Sequence, residues 1–335
     1  MFTKLAEKFF SLDSLSSHMN RIISIIIAVI IVVGVISAFY YYLKVNHVSQ
    51  ISTNRNLRIV VLAPSDTQIL ISLGLGKYIV GMDYYSYQLL QMLNMTKLLP
   101  SNVTIFNQIS PPNISGIILL HPTVVVVEKG LMGSYLAQME EAGLNVFVTN
   151  NDFANSFSQI ENCIIKIGNY FNVTQAAQEL VDWMNEKISS FSSYGNTTVA
   201  YLLWICPDLS FYTSGGNVFI NTIITLAGGI NVFSNYSGYP LLTAASLINS
   251  KPSLIITQEM YNLTYTKYLL AQYHFSNSTK IYILSSNLPT SLLNEPGPLA
   301  VYAIEMIHDI INGNTPSYIT TKWVITNLNV TLPVF

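Results

Sequence analysis

The chain has 335 residues, room for one or two domains, and half of them are hydrophobic. Charged residues make up only 10%, against the roughly 25% usual in soluble domains, and the formal net charge is −2. This balance offers no basic patch, so no nucleic acid is expected as a partner; Cys163 and Cys206, the only cysteines, allow at most one disulfide and no zinc site built on cysteine alone.

The first feature along the chain is Ile22 to Leu43, twenty-two residues without a charge. About 20 apolar residues cross a bilayer, so the run reads as a transmembrane anchor. Phe39, Tyr40, Tyr41 and Tyr42 crowd one end and Lys44 follows, the composition of a membrane interface. A cleaved signal peptide is the alternative, but its apolar region is shorter and ends in small residues. Lys4, Lys8 and Arg21 precede the span, so residues 1–21 are expected in the cytoplasm and the bulk of the chain outside the cell. Beyond the span, Asn94, Asn102, Asn113, Asn172, Asn196, Asn235, Asn262, Asn277 and Asn329 each begin an Asn-X-Ser/Thr acceptor for glycosylation, and none precedes it. So few titratable groups suit an acidic exterior, where many protonated carboxylates would leave an ordinary surface self-repelling; drift in composition would give the same pattern.

After a linker over residues 44–57, RIVVLAP predicts a buried strand stopped by Pro64, with Ser65 as N-cap of a helix from Thr67 to Leu75. Strands are predicted at Tyr78 to Met82, Thr123 to Val127 and Asn145 to Thr149, with short helices over Ile114 to Leu120 and Ser134 to Ala142. Such apolar strands alternating with helices imply a parallel sheet covered on both faces, here an N-terminal lobe over 58–150. Residues 151–195 read as a helical connector whose apolar spacing breaks only at Asn172. Alternation resumes in a C-terminal lobe over 196–335, with strands at Thr198 to Trp204, Leu254 to Thr257 and Lys280 to Leu284. Helices are predicted there at Val218 to Ala227, Ala244 to Ile248 and Gly297 to Ile311. The expected fold class is α/β: two Rossmann-like lobes joined by a long helix, preceded by one N-terminal transmembrane helix. A cleft between the lobes is the natural ligand site.

RIVVLAPSDTQILISLGLGKYIVGMDYYS resembles the opening of the periplasmic binding proteins that deliver iron–siderophore complexes, haem and cobalamin to ABC importers. YTSGGNVFINTIITLAGGINVFSNYSGYPLLTAASLINSKPSLII is similar to that family's C-lobe signature, and NEPGPLAVYAIEMIHDII to its closing helix. The resemblance, over about Arg58 to Asn312, is that of an archaeal, membrane-anchored member. It implies a small chelate ligand held between lobes joined by one long helix, an ABC permease with its ATPase as partner, no cofactor and no enzymatic activity. Many relatives carry docking glutamates where this chain has Gln68 and Ala245, so docking through two salt bridges is in doubt; neutral docking, or a protein that holds ligand without an importer, are the alternatives.

Candidate ligand-binding residues follow from position. Ser65 and Asp66 stand at the first strand-to-helix turn, where helix amides can meet a ligand oxygen, although Ser65 also suits a plain N-cap. Tyr84, Tyr85 and Tyr87 are expected in a loop rimming the cleft, with Glu128 and Lys129 at the end of the third apolar strand. Trp204 and Tyr212 could cover a ligand that the small-residue turn Thr213, Ser214, Gly215 and Gly216 approaches with its backbone amides. Gln258 and Glu259 could add polar contacts.

Binding of Zn or Mn by a related fold would need His and carboxylate ligands in the cleft, and His121, His274 and His308 are not placed for it. No Gly-X-Ser-X-Gly elbow or His-Glu-X-X-His helix marks an enzyme. An adhesive surface protein is the third alternative.

Overall fold

A computed structural model describes residues 56–191 and 195–335. The anchor expected at Ile22 to Leu43, its cytoplasmic tail and most of the linker lie outside these residues. Among the described residues no helix is long and apolar enough to cross a membrane.

The N-terminal sheet has five strands: β1 (Ile59–Val61), β2 (Ile79–Asp83), β3 (Thr104–Phe106), β4 (Val124–Glu128) and β5 (Val146–Thr149). Their order is β3-β2-β1-β4-β5 and every pairing is parallel. β1 and β4 are buried at every position, which is why each reads as an unbroken apolar run. The C-terminal sheet comprises β6 (Thr197–Ile205), β7 (Phe211–Thr213), β8 (Gly229–Asn231), β9 (Leu241–Leu242), β10 (Leu254–Gln258), β11 (Lys280–Leu284) and β12 (Tyr318–Ile319). Its order is β12-β11-β10-β6-β7-β9, with β8 also on β6. The long β6 serves two neighbours on one edge: its start pairs parallel with β8 and its end antiparallel with β7.

The connector is two helices rather than one. Phe157–Tyr170 and Thr174–Ser189 are separated by a turn in which Asn172 takes the left-handed conformation (φ 57°). The chain folds back there, and Asn185 of the second helix reaches Glu161 of the first. Gly168 permits the close approach: a Cβ on it would lie 2.3 Å from the Cβ of Ala177. One apolar core runs from Ile59 and Ile69 through Ile160 and Leu180 to Tyr201, Ile304 and Leu332.

The C-terminal lobe also packs on the connector and on the N-terminal lobe. Phe157 meets Phe219 edge-on with centroids 4.9 Å apart, and Thr222 donates to the Asn155 carbonyl at 2.6 Å. Residues after the last helix (Thr321–Leu328) return to the N-terminal lobe, where the Phe335 amide donates to the Ser72 carbonyl at 2.8 Å.

Candidate functional site

The first helix, Pro64–Ser72, determines how the lobes meet. Pro64 occupies its first turn, where a missing N–H costs nothing, so the proline that ends β1 also starts the helix. Ser65 is therefore not the N-cap expected from the sequence; Ala63 is, and it caps with no side chain. Every residue from Ser65 to Ser72 is buried, including five polar ones. Four of them have partners, as buried polar groups require. Ser65 donates to Glu128, and Thr67 donates to Ser86 at 2.9 Å. Asp66 accepts from Thr149 at 2.8 Å and from Asn151 at 3.2 Å. Gln68 donates to Glu295 at 3.2 Å and accepts from the Leu299 amide at 3.0 Å. Ser72 has no side-chain partner.

Gln68 is thus a contact between lobes, and being buried it is no surface position for a permease; that expectation is corrected. Opposite it, Gly297 leaves space that a Cβ would fill, 2.6 Å from the Gln68 Oε1. Glu295 follows Asn294, which ties back to strand ends: Tyr201 donates to Asn294, and Asn294 donates to Gln258, both at 2.9 Å. Gln258 in turn donates to the Leu203 carbonyl. Glu259 accepts from Tyr318 at 2.9 Å. Both residues are engaged within the lobe. The carboxyl ends of β1 and β10 therefore converge, with Asp83 and Glu128 close enough to act on Glu295.

Five carboxyls gather at this junction. Burial raises Asp66 well above the ordinary range, reinforced by Glu128. Burial likewise raises Glu128 to about 7 and Glu295 to about 8, and lifts Asp83 and Asp152. Asp83 caps the helix Tyr84–Met92 by accepting from the Ser86 amide at 2.9 Å. Among the described residues no group of three or more His, Cys, Asp or Glu is placed to hold a metal ion.

Around this floor stand exposed rings. Tyr84, Tyr85 and Tyr87 lie in the first turn of the helix Tyr84–Met92 and not in the expected loop, because Asp83 starts the helix directly at the end of β2. Tyr84 and Tyr85 are 40% and 58% exposed, and Tyr87 packs on the core. Glu128 is the buried last residue of β4, whereas Lys129 is exposed. In the C-terminal lobe Trp204 of β6 stands opposite Tyr212 of β7, and Tyr212 opposite Leu241 of β9, so the three share one face in a row. Tyr261 extends the row, its ring 5.5 Å from that of Trp204; it is 81% exposed and held at φ 57°, a conformation unusual for a bulky residue.

The small-residue turn acts differently from the expectation. Gly215 donates its amide to Gly238 at 2.8 Å and Gly216 to Tyr236 at 2.9 Å, so neither amide is available to a ligand. A Cβ on Gly216 would lie 2.1 Å from the Ser234 carbonyl, and one on Gly215 2.4 Å from that of Tyr236. The glycines let the segment 234–240 press against the chain. Ser214 is fully buried beneath it, and its carbonyl accepts from Asn231. That segment carries Tyr239, half-exposed and acting on Tyr201 at the lobe junction. Tyr239, Tyr261, Asp83 and Glu295 were not singled out from the sequence; only the Gly-Tyr-Pro turn around Tyr239 hinted at one of them. Ala245 is exposed near the start of the helix Ala244–Ser250.

Two α/β lobes with strand ends converging beneath aromatic rims are the architecture of a two-lobed ligand-binding protein. The chain belongs to the periplasmic binding protein family, whose model matches residues 59–279. It is 25% identical over 210 residues to the Bacillus subtilis uncharacterized ABC transporter substrate-binding lipoprotein YvrC, covering 60% of this chain and 63% of that one. It is 20% identical over 255 residues to the vitamin B12-binding protein of Vibrio cholerae, 75% of this chain and 87% of the relative. Among solved structures, a possible iron-binding protein from Staphylococcus epidermidis has a TM-score of 0.63 at 21% identity, covering 77% of this chain and 99% of that one. The periplasmic heme-binding protein RhuT of Roseiflexus sp. RS-1 has 0.60 at 20% identity, covering 76% and 99%. These likenesses show the same fold.

Proposed function

We propose that this protein is the extracytoplasmic substrate-binding component of an ABC importer, taking an iron-siderophore, haem or cobalamin-type chelate between its lobes. The observation that carries this reading is the pairing of a shared floor, Gln68 against Glu295 and Leu299, with exposed rings on both lobes: Tyr84 and Tyr85 on one, and Tyr212, Tyr239 and Tyr261 beside the partly buried Trp204 on the other. Large exposed rings lose hydration favourably against a flat, partly apolar ligand. The polar candidates Ser65, Asp66, Glu128 and Gln258 then hold the floor rather than the ligand, while Ser214, Gly215 and Gly216 shape the C-terminal rim. Tyr212→Ala should weaken binding by about 1 kcal/mol or more, measured by titration; unchanged affinity removes Tyr212 from the site.

The anchor at Ile22 to Leu43 would hold this receptor outside the cell beside its permease. All nine glycosylation acceptors are exposed, which agrees with that placement. Mass spectrometry of the natively expressed protein tests it: sugar on any of the nine supports it, and unmodified asparagine at all nine argues against. With Gln68 buried and Ala245 uncharged, permease recognition would rest on neutral contacts.

A further inference from the structure

A cavity of about 410 Å³, in the range of small-molecule sites, lies between the edge of the N-terminal sheet and the first connector helix. The C-terminal rim contributes nothing to it. One wall is a stripe of the helix Phe157–Tyr170, Gln159, Asn162, Cys163 and Lys166, whose spacing places them on one face. Cys163 belongs with Ile160, Ile164 and Ile167 to the stripe that the core uses, whereas Gln159, Asn162 and Lys166 are not among the core residues.

The opposite wall is β5, the edge strand of its sheet. Val125 takes the Asn145 carbonyl and stands opposite Val146, so alternate residues of β5 turn their peptide groups toward β4. The peptide groups of Val148 therefore point to the open edge, and Val148 lines the cavity. Phe147 and Phe153 supply apolar surface, and Phe153 is 64% exposed. The charged groups on the lining are both cationic, Lys129 and Lys166. Asp152 in the adjoining turn is held by the backbone, its Oδ2 accepting from the amides of Gly130 and Leu131, and burial raises it, so that mild acid favours its neutral form. Gln159 uses only its carbonyl oxygen, accepting from the Asn155 amide, which leaves its NH₂ free to donate.

From these observations we infer that the cavity is a binding site for a small organic anion with one flat apolar part, such as an aromatic sulfonate or carboxylate. The ring would lie on Phe147 and Phe153, and the acid group between Lys129 and Lys166, with amide donors from the helix stripe. Asp66 and Glu128 act on Cys163 from behind, opposed by Lys166. Burial favours their neutral forms, so in mild acid they do not repel the anion.

Benzenesulfonate, anionic throughout the working pH range, is the probe. It would be titrated into the full chain in mild acid while following amide chemical shifts or heat. Saturable binding is expected, with shifts centred on Phe153 and Lys166. Lys129→Gln and Lys166→Gln should each weaken it about ten-fold, while Lys267→Gln, in the other lobe, should not. Benzylammonium, of the same shape and opposite charge, should not compete. Absence of saturable binding, equal binding of benzylammonium, or full affinity in both lysine variants would each overturn the assignment. Lys166 stands on the connector helix and takes no part in the floor or rings of the interlobe cleft, so with Lys166→Gln chelate binding there is read separately, through Tyr212→Ala.

Discussion

The two sides of the junction differ in what predominates on each. On the N-terminal side the strand ends carry carboxyls, Asp66, Asp83 and Glu128, all buried and hydrogen-bonded. On the C-terminal side stand rings: Tyr212 and Tyr261 are exposed, and Trp204 between them is partly buried. The difference separates what holds the lobes together from what the proposed ligand would meet. The buried carboxyls, with Glu295 of the C-terminal lobe among them, are sensitive to pH, and the exposed rings, with Tyr84 and Tyr85 of the N-terminal lobe among them, offer contacts indifferent to it.

The largest test of this contrast is the pH dependence of stability. Carboxyls raised by burial hold protons more tightly in the folded chain than in the unfolded one. Their contribution is therefore complete below the usual carboxylate range and is lost as pH rises, through about 7 for Glu128 and about 8 for Glu295. At roughly 1.4 kcal/mol per pKa unit, reduced by relaxation and screening, the loss should reach a few kcal/mol. Chemical denaturation at acidic and mildly alkaline pH should show greater stability in acid, and Glu295→Gln should flatten the slope. A domain more stable in alkali would contradict the arrangement. This direction agrees with the acidic setting that the low charge content suggested.

A smaller effect tests the aromatic side. Gly216→Ala brings a Cβ against the Ser234 carbonyl and should cost about 2 kcal/mol, displacing the segment that carries Tyr239. Unchanged stability would mean that the segment yields freely. Smaller still, Gln68→Ala removes two hydrogen bonds between lobes and should cost about 1 kcal/mol in unfolding experiments. If it costs nothing, the junction is held by apolar packing alone.

Much of the fold is legible in the sequence because buried parallel strands are continuous apolar runs, as in Val124–Glu128 and Leu254–Gln258. Elements with weaker patterns escape it. Thr104–Phe106 is a short edge strand, and the helices Leu263–Ala271, Leu288–Asn294 and Thr321–Leu328 mix Thr, Asn and aromatic residues that carry little periodicity. The connector reads as one helical stretch because apolar spacing resumes directly after its single break at Asn172, and a one-residue break does not by itself tell a kink from the full reversal that the left-handed Asn172 makes. The candidate site was legible as a set of positions but not as roles. That Gly215 and Gly216 give their amides to residues 236 and 238, or that Gln68 reaches Glu295 across more than two hundred residues, depends on tertiary pairing that local pattern does not encode.

The central claim is that the cleft between the lobes takes a chelate. It is tested most directly by titrating the protein with cobalamin, haem and a set of ferric siderophores while following tryptophan fluorescence, since Trp204 stands in the rim. Saturable quenching by one of them, weakened by Tyr212→Ala, is the predicted result; no saturable response to any would contradict the account.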